Sequence, residues 1–421
     1  MGSHNDAERT LGINGLGRIG KLSVWHHVAR KYFSRLVVNV GRLVGSDLDV
    51  MCGVIEKDST YGSMHRFLFG VDADPCIRIV DREKKLLEVA GIPVTVLQTA
   101  RNPREIGWRE HGARVVVDTT GAFCDPTRSE DDAQGSLRGH LGAGAEKVIN
   151  SAAFKIKDAA QSMPEDAVTL IYGCNHEIFD PALHRVISAA SCTTTALAHM
   201  VKPLIDHLHD SSIMTASMST VHAATNSQCV LDTVPKAGAS DLRRSRSVLN
   251  SIVITSSNAA RALELVVPEV RQIGFMADSV RIPTPTESLI ILNLTFQSHI
   301  ESDGRSSVNQ ELINEIYQTA SAGTQKGLLV YSEEQNVPAD VTGMRAAVVI
   351  EAIETHTRTG FADIDLSRIP NIDAKTLESL GDPVVEVPVT HAKVFGWYDN
   401  EYGSYTNLMG DLTVHVHRSL D

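Results

Sequence analysis

The stretch that decides the fold lies near the start of the chain, where residues 11–20 read Leu-Gly-Ile-Asn-Gly-Leu-Gly-Arg-Ile-Gly. A short apolar strand pattern runs directly into this turn, and an apolar helical pattern follows it. Gly15 permits the tight bend, Gly17 lets the backbone approach a pyrophosphate, and Gly20 lets the helix pack close to the strand. Arg18 can add a charge-assisted bond to phosphate. The stretch therefore predicts a dinucleotide-binding βα unit.

The second predicted strand, at 36–40, bears on the choice of cofactor. Folds of this type usually end that strand with an acidic residue that holds the adenosine 2′-hydroxyl. Here the acid is absent and Arg42 follows, so a 2′-phosphate would not be repelled and could be bound. Arg42 could equally point into solvent, and Asp47 and Asp49 are close enough in sequence to leave the matter open. NAD and NADP both stay possible, and the pattern leans towards NADP.

Strand patterns alternate with helical ones over the first part of the chain. Further strands are predicted at 147–150 and 169–173, and another at 114–118 runs into Thr120 and Gly121. These two could contact the cofactor at the carboxyl edge of the sheet, or form a plain turn. The alternation predicts an α/β domain over residues 10–191, a Rossmann-type parallel sheet that binds NAD(P), after a flexible N-terminus at 1–9.

The pattern changes after residue 208, where strands become longer and richer in β-branched residues, as at 288–296. Fewer helices separate them, which predicts an α+β catalytic domain with a mixed or antiparallel sheet over residues 192–398. Within it, residues 355–388 form a polar surface excursion with one predicted helix at 374–380. We expect residues 399–421 to return to the first domain.

Composition and charge exclude several classes of protein. The 421 residues are 43% hydrophobic and 21% charged, which is ordinary for a globular protein with a large core. A net charge of −12 argues against nucleic acid or an anionic membrane as a partner. No apolar run is long enough to span a bilayer, and the polar N-terminus is no signal peptide. Six scattered cysteines without a CxxC pair indicate reduced thiols in a cytoplasm, not a disulfide frame or a metal site.

A cysteine stands where an apolar strand pattern meets a helical one, in the run Ser191-Cys192-Thr193. A thiol in the first turn of a helix meets unpaired backbone N–H groups and the positive end of the helix dipole, and both favour the thiolate. The neighbouring hydroxyls and N–H groups suit an anion. The position therefore fits a nucleophile that attacks the carbonyl of an anionic substrate. Taken alone, it also fits a buried and inert cysteine.

Three later residues could complete such a site. His222 ends a strand thirty positions after Cys192 and could exchange a proton with the thiol, although it is one of 17 histidines. Arg281 precedes a rigid Pro-Thr-Pro turn that would fix its guanidinium for phosphate. Asn400 stands in an aromatic and amide cluster and could bond a carboxamide through both donor and acceptor.

Together these pieces resemble the phosphorylating glyceraldehyde-3-phosphate dehydrogenase family over residues 11–412. The matching segments occur in the order that the family has them. They are GINGLGRIG at 12–20, DSTYG at 58–62, ASCTT at 190–194, TVH at 220–222, DLRR at 241–244, RIPT at 281–284 and WYDNE at 397–401.

The resemblance implies oxidation of glyceraldehyde 3-phosphate or a close anionic aldehyde through a thiohemiacetal and a thioester on Cys192, with His222 as the base and inorganic phosphate as the acyl acceptor. It also implies a homotetramer and no metal. The candidate cofactor-binding residues, taken from the motifs and from the resemblance together, are Gly15, Gly17, Arg18, Ile19, Arg42, Thr120, Gly121 and Asn400. The implied substrate- and phosphate-binding residues are Ser191, Thr193, Thr225, Ser257 and Arg281.

The chain departs from the family pattern at several points. Thr195 replaces an asparagine, and Ser257-Asn258 replaces a Thr-Gly pair, so that the Asn side chain could crowd the attacking phosphate. This leaves two alternatives open. The first is a dehydrogenase of the same fold that acts on erythrose 4-phosphate or uses water as the acyl acceptor. The second is a catalytically weak homologue that binds a nucleotide or a partner protein through the 355–388 excursion.

Overall fold

The computed structural model describes residues 9–45, 47–98, 100–158, 160–208, 213–235 and 237–420. The chain divides into two compact units, each formed by segments that are distant in sequence. The first unit comprises Met1–Ala198, Thr342–Ala347 and Asp399–Asp421, and the second comprises His199–Val341 and Val348–Tyr398.

The first unit is built on a sheet of nine strands, with a separate two-stranded hairpin. Its strands are β1 (Thr10–Asn14), β2 (Arg35–Asn39), the hairpin β3 (Lys57–Asp58) and β4 (Gly62–Ser63), β5 (Ile77–Asp81), β6 (Leu86–Val89), β7 (Ile92–Leu97), β8 (Ala113–Asp118), β9 (Lys147–Asn150), β10 (Ala167–Thr169) and β11 (Val186–Ser188). The order across the large sheet is β10-β11-β9-β8-β1-β2-β7-β6-β5. The strands from β10 to β7 are parallel, and β6 and β5 are antiparallel additions at one edge.

The second unit contains a mixed sheet. Its strands are β12 (Ile213–Ala223), β13 (Val253–Ser256), β14 (Gly274–Ile282), β15 (Ser288–Gln297), β16 (Leu329–Ser332), β17 (Val348–Glu351), β18 (His356–Asp365) and β19 (Val384–Tyr398). The order is β13-β14-β12-β15-β19-β17-β16, and β18 pairs with β19 beside this path. The pairs β12–β14 and β16–β17 are parallel, whereas the other pairs are antiparallel. The predicted fold class, a Rossmann-type parallel sheet followed by an α+β unit, is confirmed.

Ten helices accompany the two sheets in the described part of the chain. They are α1 (Arg18–Arg30), α2 (Leu48–Glu56), α3 (Met64–Phe69), α4 (Leu137–Gly142), α5 (Cys192–Leu208), α6 (Ala259–Val266), α7 (Gln310–Ala322), α8 (Pro338–Val341), α9 (Ala374–Leu380) and α10 (Asn407–Arg418). No helix among the described residues is both long and apolar enough to cross a membrane.

The burial of the strands explains why their sequence patterns differ. All five residues of β1 are buried, because helices cover both faces of a parallel sheet. Strand β15 instead alternates buried and half-buried residues, which is typical of a sheet with one face on a core. The first pattern was readable as a short strand that runs into the glycine turn, and the second as a long β-branched strand.

Two details of the predicted secondary structure are wrong. The strand predicted at 169–173 ends at Thr169, because the chain then turns and the N–H of Ile171 donates to Asn175 Oδ1 at 2.8 Å. The excursion at 355–388 contains α9 as predicted, but it also contains the strand β18. All ten residues of β18 pair with β19, five of them with residues beyond Pro388. The strand β18 could not be recognised from an apolar pattern, because it lies at a largely exposed edge and most of its side chains are polar.

Candidate active site

The glycines of the turn at 15–20 have different roles, some required by the fold and one suited to a ligand. Gly15 has a φ of +102°, and a Cβ on Gly20 would lie 2.1 Å from the carbonyl oxygen of Gly15. Both glycines are therefore required by the turn itself. A Cβ on Gly17 would meet no atom within 4 Å. The open space beside Gly17, at the N-terminus of α1, fits the close approach of a pyrophosphate.

Arg18 has partners other than a phosphate in this structure. Its guanidinium pairs with the carboxylates of Asp58 and Glu401, and its Nε donates to Glu401 Oε1 at 2.8 Å. Burial alone would lower the pKa of Arg18, but the bonds and charges of Glu401 and Asp58 raise it above its usual value. A phosphate bond from the Arg18 side chain stays a prediction. Ile19 lies in the first turn of α1 with it.

A cavity of about 690 Å³ lies at the carboxyl ends of β1, β2 and β8. Gly15, Thr120 and Arg42, three of the residues predicted to bind the cofactor, line it. Their binding of a cofactor stays a prediction. Val40 stands at the end of β2 where folds of this type usually have an acid. Arg101 also lines the cavity, and sequence reasoning missed it. It follows β7, which is far from β2 in the chain but adjacent to it in the sheet.

Gly121 follows Thr120 with a φ of +64°, so the turn after β8 needs a residue that tolerates the left-handed region. The hydroxyl of Thr120 donates to Asp118 Oδ1 at 2.6 Å, and the backbone N–H of Thr120 donates to the same oxygen at 3.0 Å. The side chain of Thr120 is thus fixed at the edge of the cavity.

Cys192 is the first residue of α5, which has 17 residues. The hydroxyl oxygen of Ser191 accepts a bond from the N–H of Thr194 at 3.2 Å and so caps the helix. Ala190 has a φ of +55°, an unfavourable conformation for a residue other than glycine, and it turns the chain from β11 into the helix. The hydroxyl of the buried Tyr405 donates to the carbonyl of Ala190 at 3.3 Å and supports that turn.

Thr193 is buried in the same first turn, whereas Cys192 is partly exposed. The thiol therefore lies at the positive end of a helix dipole and remains accessible. This is the setting in which cysteines form thiolates and react as nucleophiles.

His222 is the penultimate residue of β12, and it is only 2% exposed. Its Nδ1 is 2.7 Å from the carbonyl oxygen of Ala223, which can only accept, so Nδ1 carries the proton and Nε2 is unprotonated. Burial, and then the charge of Arg281, lower the pKa of His222 to about 3. The imidazole is neutral at pH 7, as a proton acceptor must be.

The second unit brings Arg281 and Thr225 to the same end of the sheet as His222. Arg281 pairs with His222 in the parallel register of β14 and β12. Its Nη1 lies 3.4 Å from the carbonyl oxygen of Ala223. The hydroxyl of Thr225 donates to Gln228 Oε1 at 2.9 Å in the loop that follows β12. These residues present a cation and a hydroxyl that suit a phosphate.

Ser257 is not brought to Arg281 by the sheet. Strand β13 is antiparallel to β14, so Val253 faces Arg281, whereas Ser256 faces Asp278. Ser257 therefore leaves the sheet four residues after Val253, about 13 Å along the strand from Arg281. Its hydroxyl oxygen accepts the N–H of Ala259 at 3.2 Å, at the start of α6. Phosphate binding by Ser257 stays a prediction.

Asn400 is buried in the first unit. The residue before it, Asp399, accepts bonds from the hydroxyl of Tyr61 at 2.7 Å and from the N–H of Glu401 at 2.9 Å. The residue after it, Glu401, pairs with Arg18 in the first turn of α1. Asn400 is thus held close to the glycine turn.

The described residues contain no group of three or more His, Cys, Asp or Glu side chains that could hold a metal ion. The first unit contains the predicted cofactor-binding residues and Ser191, Cys192 and Thr193. His222, Thr225, Ser257 and Arg281 belong to the second unit.

The glycine turn, the cavity at the sheet edge and the thiol at a helix N-terminus define an NAD(P)-dependent oxidoreductase that acts on an aldehyde group. Residues 9–126 match the family described as glyceraldehyde 3-phosphate dehydrogenase, NAD binding domain, and residues 191–364 match its C-terminal domain. The chain belongs to the glyceraldehyde-3-phosphate dehydrogenase family, and the family predicted from the sequence is confirmed.

Two bacterial relatives show how far the similarity extends. Glyceraldehyde-3-phosphate dehydrogenase 1 of Streptomyces avermitilis is 35% identical over 407 residues, which cover 96% of this chain and 98% of the relative. Glyceraldehyde-3-phosphate dehydrogenase of Geobacillus stearothermophilus is 33% identical over 407 residues, which cover 96% of this chain and 97% of the relative.

Proposed function

We propose that the protein oxidises glyceraldehyde 3-phosphate, or a close anionic aldehyde, to an acyl phosphate. The observation that carries the proposal is the thiol of Cys192 in the first turn of α5, with a helix dipole to favour its thiolate. The neutral His222, whose Nε2 is unprotonated, supports the proposal with a proton acceptor. We assign Cys192 and His222 to one reaction for two reasons. The family pattern pairs them, and each has a suitable protonation state within its own unit.

The thiolate of Cys192 attacks the aldehyde carbon, and the backbone N–H groups at the start of α5 stabilise the oxygen that becomes negative. When it is bound, the nicotinamide ring supplies the acceptor for the hydride. His222 Nε2 takes the thiol proton as Cys192 attacks, lends it to the oxygen that becomes negative, and takes it back as the hydride leaves and the carbonyl re-forms as a thioester on Cys192. Inorganic phosphate then attacks the thioester and releases the thiolate.

Two groups of residues are proposed to bind the two phosphates. Arg281 and Thr225, at one end of the second sheet, bind the phosphate of the substrate. Ser191 and Thr193, in the first turn of α5, bind the attacking phosphate because that turn presents hydroxyls and backbone N–H groups. Asn400 is proposed to hold the carboxamide of the nicotinamide through its donor and its acceptor.

The test is a stopped-flow record of NAD(P)H formation with glyceraldehyde 3-phosphate, with and without inorganic phosphate. A burst followed by phosphate-dependent turnover is expected. A burst whose turnover needs no phosphate would identify water as the acyl acceptor. The pair Ser257-Asn258, which replaces the Thr-Gly pair of the family pattern, would then be the first feature to alter. The absence of any burst with either cofactor, in protein that binds both, would refute the proposal.

We also infer that NADP is preferred over NAD. Arg42 and Arg101 line the same cavity, and Val40 replaces the acid that would repel a 2′-phosphate. The nearby acids have other roles, since Asp47 caps α2 and Asp49 pairs with Arg82 at 2.7 Å. Glu105 also lines the cavity and opposes this preference. The double substitution Arg42→Ala with Arg101→Ala should lower kcat/KM for NADP about tenfold or more and leave that for NAD nearly unchanged.

A homotetramer is the proposed assembly. Several apolar residues of the second unit are largely exposed, among them Leu231 70%, Val234 90%, Ile252 75% and Met276 72%. Exposed apolar groups of this kind are typical of surfaces that become buried on association. Light scattering of the purified protein would measure the mass of the assembly directly, and a monomer would contradict this part of the proposal. The cytoplasmic location stays a prediction from the six scattered cysteines.

A further inference from the structure

A buried carboxylate lies directly behind the cofactor cavity. Asp118, the last residue of β8, has no exposed surface. Its Oδ1 accepts bonds from the N–H and the hydroxyl of Thr120. Its Oδ2 accepts a bond from Asn14 Nδ2 at 2.7 Å and lies 3.0 Å from His140 Nε2. Four donors therefore converge on one carboxylate, which makes its position well determined.

His140, on α4, is the donor furthest from the cavity and is also fully buried. Its Nδ1 lies 2.9 Å from Trp108 Nε1, and an indole N–H can only donate. Nδ1 must therefore accept, and the single proton of a neutral imidazole must lie on Nε2, where it is donated to Asp118. Trp108 and Asp118 thus fix the tautomer of His140 from its two sides.

The same network continues from Asp118 towards the adenosine end of the cavity. Because Asn14 Nδ2 faces the carboxylate, Asn14 Oδ1 is directed at Asn39 and accepts its Nδ2 at 2.8 Å. Asn39 Nδ2 also donates to the carbonyl of Ala100 at 3.0 Å, and Asn39 Oδ1 accepts the N–H of Gly41 at 3.3 Å. Gly41 immediately precedes Arg42, and Ala100 immediately precedes Arg101.

Every bond in this network has a set direction. Trp108 at one end can only donate and the carboxylate can only accept, so the amides of Asn14 and Asn39 each have one orientation that satisfies all partners. Asn14, Asn39 and Thr120 line the cavity. The orientation of these groups depends on Asp118, and one of the four donors that hold Asp118 is the imidazole of His140.

We propose that His140 is a positioning residue for the cofactor. Its Nε2–H holds the Asp118 carboxylate, and through Asp118 it fixes Thr120 at one side of the cavity and the turns before Arg42 and Arg101 at the other. This inference rests on the proposed role of the cavity as the NAD(P) site. The inference gives α4 a part in cofactor affinity. This helix covers the sheet, and its residue His140 does not line the cavity but acts through Asp118.

Two substitutions at this position separate the two bonds of the imidazole. His140→Gln places an amide where Nε2 was, so it keeps the donor to Asp118 and loses the acceptor for Trp108. His140→Asn places its amide where Nδ1 was, so it keeps the acceptor for Trp108 and loses the donor to Asp118. The dissociation constants of NADH and NADPH are measured by fluorescence titration of the full-length protein, and kcat and the cofactor KM are measured alongside.

We expect His140→Asn to raise the dissociation constant and the KM of the cofactor about tenfold or more, because a bond to a charged group is lost. The value of kcat at saturating cofactor should change little. His140→Gln should bind both nucleotides nearly as the unaltered protein does. This difference between two buried amides of similar chemistry is not expected from a residue that only fills space.

Leu141→Ala is the matched control, because Leu141 is the next residue of α4 and is buried in a separate apolar cluster. It should lower the melting temperature without changing the cofactor dissociation constants. Equal nucleotide affinity in His140→Asn and the unaltered protein would overturn the positioning role alone. Losses of affinity in all three variants that follow their losses of stability would overturn it as well. If the unaltered protein bound neither nucleotide, the proposed function itself would be refuted.

Discussion

His26, on α1, makes the stability of the first unit depend on pH. Its Nδ1 is 2.8 Å from Asn407 Oδ1, and Asn407 Nδ2 donates to the carbonyl of Gly403 at 2.9 Å. The orientation of this amide makes His26 Nδ1 the donor and leaves Nε2 bare. A Cβ on Gly410 would lie 2.2 Å from that Nε2, so the ring packs directly on α10. Protonation of His26 would therefore place a second proton, on Nε2, inside this closed contact.

Burial lowers the pKa of His26 to about 4, although the bond to Asn407 acts in the opposite direction. The unfolded chain, with a pKa of about 6.5, binds the proton more readily. The contribution of His26 to stability is therefore complete above about pH 6.5 and is lost as the pH falls towards 4. Between pH 7.5 and 5.0 this linkage removes about 2 kcal/mol from the free energy of unfolding.

His26→Asn keeps a donor for Asn407 Oδ1 and cannot titrate in this range. It creates a cavity whose cost is the same at both pH values. Urea unfolding of both proteins is followed by tryptophan fluorescence at pH 7.5 and 5.0, and Trp25 beside His26 reports on the first unit. We expect the loss of stability between the two pH values to be about 2 kcal/mol smaller in the variant. Equal losses in the two proteins would refute the reasoning.

Three further predictions concern the site. Gly17→Ala should leave the melting temperature unchanged but raise the cofactor dissociation constant. Gly20→Ala should lower the melting temperature, because of these two positions only at Gly20 would a Cβ collide with the backbone. A larger loss of melting temperature in Gly17→Ala than in Gly20→Ala would contradict the account of the turn. Cys192→Ser should abolish the burst of NAD(P)H while cofactor binding persists, and a retained burst would exclude the thioester route. His222→Asn should slow the burst by about a hundredfold or more, and an unchanged rate would assign the base elsewhere.

Local signals in the sequence are sufficient to predict much of the fold and of the candidate site. The glycine turn at 11–20 identifies its βα unit because the conformational freedom of Gly15 and the close approach at Gly20 are local requirements. Cys192 and His222 could be selected because each stands at the end of a strand or the start of a helix. The strand β18 could not be read in the same way, since an exposed edge strand has no apolar pattern.

The sequence by itself determined the class of fold, the family and the residues that carry the proposed chemistry. The tertiary structure decided which distant residues share a cavity or a network. It placed Arg101 beside Arg42 and His140 behind Thr120, and it placed Ser257 four residues after the position that faces Arg281. The physical reason is that strand order and register set these neighbours, and strand pairing joins segments far apart in the chain. Burial likewise fixed the protonation states of His222 and His26, because desolvation depends on everything packed around a group.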